Sequence, residues 1–287
     1  MDAFHLEPPL TKWRDIEKYQ EQGWIYRGHR KSGWPLATSL ERFFDRNEVP
    51  NNQDRRVDIE RELIRDFKRA YHQYGAHVPM EDTPLEWISL MQHHGAPTRL
   101  CDFTYSIYVA LYFAVEGAQK DDPAIWAIND RWANEQSRAL LSKGKGRSEK
   151  ELEGLTKRTY RRQERVAYEA LFRRPPVACA YPLNAFQLNQ RLRTQKGVFL
   201  CPGDPTIGLE KNIRALPGWE KRENVRKIQI PVAWRMEVLR SLFYMNISRT
   251  SLFPGLDGYA QSLGAYHPAL DPWEGDDVLP TDKDELP

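Results

Sequence analysis

The sequence predicts an α+β fold in which a mixed sheet is surrounded by helices. Short runs of β-forming residues alternate with helical patterns and long polar excursions along the 287 residues. Apolar residues make up 40% of the chain and charged residues 29%, a balance typical of a globular protein rather than a disordered one. No stretch approaches the run of about 18 uncharged apolar residues that spans a bilayer. We expect one domain over residues 15–260.

The first half of the chain predicts four helices and two strands. In chain order these are a helix at 11–22, a strand at 24–26, helices at 57–74, 84–92 and 106–118, and a strand at 123–128. The helix at 57–74 has apolar residues at three- and four-residue steps, and Gly75 ends it. The helix at 106–118 is apolar nearly all round, which predicts burial. Asp102 or Thr104 is expected to cap it.

The second half predicts strands and amphipathic stretches around a basic segment. Strands are predicted at 177–181, 197–201 and 226–230, and an amphipathic stretch at 232–245. Residues 134–174 are polar, basic and helical, and we expect them to form an insertion. From residue 268 the chain is acidic and punctuated by proline, which predicts a loosely ordered tail over 268–287.

Charge is distributed unevenly although the net charge is +2. Residues 135–174 hold 12 Lys and Arg against 6 Asp and Glu, whereas residues 271–287 hold 7 acids and one lysine. This asymmetry predicts either an anionic partner for the basic segment or pairing between segment and tail. The candidate nucleic-acid contacts are Arg158, Arg161, Arg162 and Arg165. Interleaved glutamates are equally typical of a solvated helix face.

Several function classes are excluded by missing motifs. The three cysteines have no C-x-x-C spacing, which argues against a disulfide framework and a zinc site, so we expect no metal. The chain has no P-loop, no G-x-G-x-x-G and no G-x-S-x-G motif. The first residues are charged and lack the apolar core of a signal peptide. We therefore expect a reduced, cytoplasmic protein without membrane contacts.

Three segments carry residue types that suit chemistry. In Tyr26–His29, an arginine leaves a strand before a glycine, which suits binding of a phosphate or carboxylate. Residues 93–104 pack two imidazoles, an arginine, an acid and two hydroxyls directly before the apolar helix. Buried polar groups must be hydrogen-bonded or functional, so this segment is either a site or a cap and turn stabilised by an Arg99–Asp102 pair. Residues 191–200 turn from a basic stretch into a strand through Gly197.

Together these residues resemble the FRG domain family, which is named for its aromatic-Arg-Gly motif. The resemblance covers about residues 15–260 and depends on three blocks. The blocks are Trp24–Gly28 with Trp34–Leu36, Gln92–Thr104 with Ala110–Ala114, and Arg191–Phe199. The middle block is long and specific, so the chain is identified as a member of this family.

The order of the blocks is also similar to the ADP-ribosyltransferase superfamily, in its arginine-serine-glutamate branch. That resemblance implies an ADP-ribosyltransferase-like core that uses NAD. It implies cofactor-binding roles for Tyr26, Arg27, Gly28, His93, Arg99 and Asp102, and catalytic roles for His94, Thr104 and Gln195. Arg27 would hold the pyrophosphate, His94 and Thr104 would line the nicotinamide-ribose pocket, and Gln195 would contact the ribose. Arg99 and Asp102 would form a supporting pair.

The chain departs from the superfamily at its closing strand, where members carry a glutamate. Gln195 stands at the corresponding turn, and no glutamate occurs between Glu169 and Glu210. A carboxylate stabilises developing positive charge better than an amide does. The role of that glutamate is therefore unfilled or comes from elsewhere in the chain.

Three functions remain open at this point. The first is an NAD-using ADP-ribosyltransferase-like enzyme, a toxin or defence effector that modifies a nucleic acid or a protein. The second is a nucleic-acid-binding protein or nuclease in which His93 or His94 acts as general acid or base, since imidazole titrates near neutral pH. The third is a non-catalytic interaction module whose motif residues only stabilise the fold.

Overall fold

One six-stranded sheet organises the fold. The computed structural model describes residues 4–75, 79, 83–143, 160–172, 174–184 and 190–265. The strands are β1 Trp24–His29, β2 Cys101–Thr104, β3 Ala124–Asn129, β4 Ala180–Leu183, β5 Gly197–Pro202 and β6 Val225–Gln229. They lie in the order β4-β5-β2-β1-β3-β6.

Eleven α-helices surround the sheet in the described ranges. They are α1 Ser39–Arg46, α2 Gln53–Tyr71, α3 Pro84–His93, α4 Ile107–Val115, α5 Asp130–Lys143, α6 Tyr160–Phe172, α7 Gln190–Thr194, α8 Leu209–Arg214, α9 Arg235–Tyr244, α10 Arg249–Leu252 and α11 Leu256–Ser262. The same described ranges contain two 3₁₀ helices, Trp13–Tyr19 before β1 and Val232–Trp234 before α9. None of these described helices is long and apolar enough to cross a membrane.

The α+β class is confirmed, but the sheet is not mixed in the way we expected. All five strand pairs are antiparallel, and parallel pairing among the described residues is confined to one bridge between Leu6 and Lys227. The chain does cross from β2 through α4 to β3, the kind of connection that usually joins parallel strands. β1 lies between those two strands and is antiparallel to both, so they never pair with each other.

The sheet is weakly joined between β1 and β2. β1 pairs with β3 over six residues, but it pairs with β2 only where Tyr26 faces Thr104. Continued in register, the same ladder would bring Gly28 opposite Asp102, and the described strands form no such pair. Within the described residues the ladder between the two strands therefore does not continue along the second half of β1, and we call this interruption the gap.

The buried helix predicted at 106–118 is α4, which covers one face of the sheet. Its almost wholly apolar sequence packs on strand residues of β1, β3 and β6, together with the first 3₁₀ helix and α9. Ser106 caps α4, because its hydroxyl accepts a hydrogen bond from the Val109 N–H at 3.4 Å. The expectation that Asp102 or Thr104 caps this helix is wrong, because both residues belong to β2.

The other face of the sheet packs against α3, α5 and α6. Ile88 of α3, Leu141 of α5 and Leu171 of α6 are buried in one cluster with strand residues. α5 and α6 are the described parts of the predicted basic insertion, and both contribute side chains to this core. Residues 144–159 of that segment, and the predicted acidic tail over 268–287, lie outside the described residues.

Candidate functional site

The gap between β1 and β2 opens into a groove formed by two adjoining pockets. Gln92 of α3 and Asp102 of β2 line both pockets. The Arg27 pocket is a cavity of about 160 Å³ lined by Arg27, Ala37, Thr38, Ser39, Arg42, Gln92, Gly95, Ala96, Leu100, Cys101 and Asp102. The His93 pocket is lined by Ser89, Gln92, His93, Asp102, Arg191, Leu192, Gln195 and Phe199.

Arg27 bridges the gap and lines the groove. Its Nη1 donates to the main-chain oxygen of Asp102 at 2.6 Å, and its Nε donates to Nε2 of His29 at 3.3 Å. The guanidinium has five N–H groups, and none of the described residues accepts a hydrogen bond from Nη2. Arg27 therefore retains donors for a ligand although two of its nitrogens are anchored.

A second arginine faces the same pocket from α1. Arg42 donates from Nη1 to the main-chain oxygen of Ala37 at 2.8 Å. Within the described ranges neither Arg42 nor Arg27 pairs with a carboxylate. Thr38 and Ser39 at the start of α1 also line the pocket, so the positive end of the helix dipole points toward it. Two unpaired guanidinium groups and a helix N-terminus together favour an anion.

A chain of hydrogen bonds fixes the boundary between the two pockets. The Thr98 hydroxyl donates to Oε1 of Gln92, and Nε2 of Gln92 donates to Oδ1 of Asp102 at 2.8 Å. Thr98 is buried, whereas the Asp102 side chain is exposed to the groove. The carboxylate is thus held in one orientation and remains accessible.

The second pocket combines an imidazole with polar and basic groups. Burial, the neighbouring His94 and the charge of Arg191 lower the pKa of His93, so its ring is neutral at neutral pH. The rings of His93 and His94 meet edge to face, with centroids 5.0 Å apart. Nε2 of Gln195 donates to the Leu252 main-chain oxygen at 3.0 Å, which fixes the Gln195 side chain.

Five residues predicted for catalysis or cofactor binding line neither pocket, and Arg99 is one of them. Tyr26 is fully buried, and its hydroxyl donates to the Tyr19 main-chain oxygen and accepts from the Glu21 N–H at 2.9 Å. The Thr104 hydroxyl donates to the Gln195 main-chain oxygen at 2.7 Å. His94 is exposed at the end of α3.

Another of the five is Gly28, which serves the packing of α4. A Cβ atom at this position would lie 2.1 Å from the Ala110 main-chain oxygen and 2.5 Å from the Ala114 nitrogen. Successive residues of a strand point to opposite faces, so Tyr26 and Gly28 face α4 while Arg27 faces the groove. The aromatic-Arg-Gly motif therefore divides its residues between the core and the site.

The expected pair between Arg99 and Asp102 is wrong. Arg99 is 2% exposed and forms an ion pair with Glu60 of α2, with Nε donating to Oε1 at 2.6 Å. Its guanidinium also lies 4.0 Å from the ring centroid of Phe172. Positions three apart in an extended chain point to opposite sides, so Arg99 enters the core while Asp102 faces the groove.

The predicted nucleic-acid contacts are only partly within the described residues. Arg158 lies outside them, and Arg161 and Arg162 fall in the first turn of α6. Arg165 is exposed and forms an ion pair with Glu169 at 3.2 Å. Arg165 therefore fits the alternative of a solvated helix face on which glutamates alternate with basic residues.

Two other kinds of chemistry at the groove would be attack by a cysteine thiolate and catalysis by a bound metal. Cys101 lines the Arg27 pocket, but burial raises the pKa of its thiol to about 11, so a thiolate nucleophile is not present at neutral pH. Within the described residues, no three His, Cys, Asp or Glu side chains cluster to hold a metal.

A larger open depression lies away from the sequence motifs. It has a volume of about 650 Å³, and Glu116 and Arg235 are its charged residues. Both are engaged within the fold: Glu116 accepts from Arg249 at 2.6 Å, and Arg235 donates to the main-chain oxygen of Val115 at 3.1 Å. The motif-lined groove is therefore the better candidate for a functional site.

Two basic residues of the groove, Arg42 and Arg191, are not among the site residues predicted from the sequence. Arg42 was missed because α1 was not predicted, and no local signal connects it to Arg27. Arg191 begins the third motif block, Arg191–Phe199, and its basic neighbourhood is the available signal.

Comparison with known proteins gives one match. Residues 22–123 match the family model of the FRG domain. This range includes the first two of the three motif blocks and the strands that carry Arg27 and Asp102. No curated protein and no solved structure gives a significant match to the chain.

Proposed function

Since residues 22–123 form an FRG domain, we propose that its groove binds NAD⁺ and that the protein transfers ADP-ribose to an acceptor. The acceptor is a protein or a nucleic acid, and such an activity suits a toxin or a defence effector. The observation that carries the proposal is the position of Arg27 and Gln195. They are separated by 168 residues in sequence, yet they line adjoining pockets of one groove.

The order of the strands supports this proposal. The three sequence blocks that resemble ADP-ribosyltransferases correspond to β1, β2 and β5, and these strands are neighbours in the sheet. The β2 strand is followed directly by α4, as the resemblance implies. A transferase-like site assembled from these blocks would lie where the groove lies.

The charges of the groove match the parts of a dinucleotide. The pyrophosphate is anionic and would lie in the Arg27 pocket, between the guanidinium groups of Arg27 and Arg42. The nicotinamide ribose would lie over the entrance of the His93 pocket, a small cavity of about 30 Å³ in which Gln195 is held in place by its hydrogen bond to Leu252. In this assignment Thr104 does not contact the ligand. Its hydroxyl donates to the main-chain oxygen of Gln195 and thereby orients Gln195.

Calorimetry with NAD⁺ and an assay of nicotinamide release test the proposal. We expect wild-type protein to bind NAD⁺ and to release nicotinamide. Arg42→Gln removes a charged hydrogen bond to phosphate, which is worth about 1.5–3 kcal/mol, so affinity should fall by about 10- to 100-fold. Arg46→Gln is the matched control, because Arg46 is exposed on the same helix and lines neither pocket. Absence of binding at millimolar NAD⁺ would end this proposal.

A nuclease is the second candidate, and it is favoured by the neutral ring of His93 beside Arg191. A neutral imidazole next to a cation can accept a proton from a nucleophile attacking a phosphodiester. In that case RNA or DNA would bind in a salt-sensitive manner, and the Arg161→Ala, Arg162→Ala double variant would weaken binding. Cleavage that persists in His93→Ala would exclude this mechanism. Binding of neither ligand would favour the non-catalytic module.

A further inference from the structure

Cleavage of a nucleotide sugar requires a group that stabilises positive charge on the ribose. When the bond between the ribose carbon and nicotinamide breaks, the ring takes on oxocarbenium character, and a nearby carboxylate stabilises that charge. Gln195 is neutral and cannot act in this way. Among the described residues that line the groove, Asp102 is the single acid.

We propose that Asp102 is the catalytic carboxylate of the groove, held in place by Gln92. The inference depends on the proposed function, because it assigns a residue within the same NAD⁺ site. It places the carboxylate on β2, next to the closing strand β5, where Asp102 is in register with Phe199.

The position of Asp102 between the pockets supports this assignment. A dinucleotide bound with its pyrophosphate at Arg27 and its ribose near Gln195 must pass the Gln92–Asp102 boundary. Asp102 uses its main-chain oxygen to hold Arg27, which leaves the carboxylate available on the side of the groove. One residue therefore anchors the phosphate-binding arginine and presents the negative charge.

The hydrogen bonds behind Asp102 support a catalytic role over a structural one. Exposed carboxylates usually have several rotamers, whereas this one accepts from Nε2 of Gln92 at 2.8 Å. The orientation of the Gln92 amide is itself set by the buried Thr98 hydroxyl, which donates to its other end. Such fixed polar groups cost no reorganisation during the reaction. Gln92 and Thr98 are positioning residues in this scheme.

The reaction balances without a further reagent. The C–N bond between ribose and nicotinamide breaks, and its electron pair returns to the pyridine nitrogen, so nicotinamide leaves as a neutral molecule. The acceptor then forms the new bond to the same ribose carbon, and the proton it loses passes to solvent. The Asp102 side chain forms no covalent bond in either step and stabilises the positive charge between them.

The decisive comparison uses Asp102→Asn, which keeps the shape and removes the charge. We expect nicotinamide release to fall by at least about 100-fold, while the Kd for NAD⁺ by calorimetry and the melting temperature stay near wild type. Asp102→Glu should recover part of the activity. Asp257→Asn is the control, because Asp257 is exposed on α11 and lines neither pocket.

The outcomes separate this inference from the function it depends on. If wild-type protein neither binds NAD⁺ nor releases nicotinamide, the proposed function fails, and this assignment fails with it. If wild type is active and Asp102→Asn retains full activity, only the assignment of Asp102 is overturned. Loss of NAD⁺ binding in Asp102→Asn would show a binding role and would also overturn it.

The positioning role of the hydrogen-bond chain has its own test. Thr98→Val removes the hydroxyl that orients Gln92, and Thr98→Ser retains it. We expect Thr98→Val to lower kcat by about tenfold with little change in KM, and Thr98→Ser to restore kcat. Equal kcat in the two variants would contradict the positioning role.

Discussion

The guanidinium of Arg27 shows how one residue serves both the fold and the site. Its bond to the Asp102 main-chain oxygen crosses the gap where the β1–β2 ladder is interrupted, and its remaining donors face the pocket. The sequence predicted an anion-binding role for Arg27 because an arginine precedes a glycine at the end of a strand. It did not predict the bridge, because that bridge depends on the separation of two strands distant in sequence.

His29 gives a residue-scale prediction about pH. Burial, and then the charge of Arg27, lower the pKa of His29 to about 3, against about 6.5 in an unfolded chain. Between these values the unfolded state binds more protons than the folded state, so the free energy of unfolding decreases as the pH falls below about 6.5. One such group contributes a slope of up to about 1.4 kcal/mol per pH unit.

Urea unfolding at pH 7.5 and at pH 5 measures this slope. We expect His29→Gln to be less sensitive to acidification than wild type, by up to one proton, because the amide does not titrate. The comparison between the two proteins removes the contributions of other titrating groups, which both share. An identical pH dependence in both proteins would show that His29 is not held neutral.

At the scale of elements, a close contact between β1 and α4 connects the aromatic-Arg-Gly motif to the core. Gly28 lets the backbone of α4 approach β1 so closely that any side chain would overlap the Ala110 main chain. The resemblance to ADP-ribosyltransferases implied a cofactor-binding role for this glycine. The error arose because the sequence does not reveal which face of the strand the helix covers.

Gly28→Ala should therefore destabilise the fold. A methyl group here meets backbone atoms that cannot rotate away, and we expect a loss of about 1–3 kcal/mol or more in the free energy of unfolding. Gly33→Ala is the matched control, because a Cβ atom at Gly33 has no heavy atom within 4 Å. Chemical denaturation of both variants measures the difference. A Gly28→Ala protein as stable as Gly33→Ala would contradict the close packing.

Elements with strong periodicity could be predicted, and short elements could not. The helix predicted at 57–74 corresponds to α2, and the apolar run at 106–118 corresponds to α4. β2 has four residues, too few for alternation to be recognised, and it exists because β5 pairs with it. α1 was missed although Thr38 caps it, accepting from the Glu41 N–H at 3.0 Å.

At the scale of the whole molecule, Arg99 connects parts of the chain that are distant in sequence. It pairs with Glu60 of α2 and donates to main-chain oxygens of Leu171 in α6 at 3.2 Å and of Gly203 after β5 at 3.2 Å. An arginine in the middle of a motif suggested ligand binding, yet its partners are all structural. Residue type and spacing could not distinguish the two roles, because the partners come from the tertiary fold.

Arg99→Met tests this structural role. It leaves the Glu60 carboxylate buried without its partner, and we expect a loss of about 3–5 kcal/mol. Replacing both residues, as in Arg99→Met with Glu60→Leu, should recover part of that loss because no lone charge remains. Arg165→Ala, which breaks an exposed pair with Glu169, should cost about 1 kcal/mol or less. Thermal or urea unfolding measures these losses. Equal stability of Arg99→Met and Arg165→Ala would contradict the structural role of Arg99.

Among the described residues, backbone pairing between β1 and β2 is confined to Tyr26 and Thr104, and this has a mechanical consequence. We expect a sheet connected in this way to bend at that pair, with Arg27 on one side of the bend and Asp102 and Gln195 on the other. A ligand that binds both Arg27 and Asp102 would bring the two parts of the sheet closer together. We expect the amide hydrogens of β2 to exchange more slowly with deuterium once such a ligand is bound. Those of β3 and β6 should keep their rates, because these two strands are paired with each other over five residues and lie on the same side of the bend.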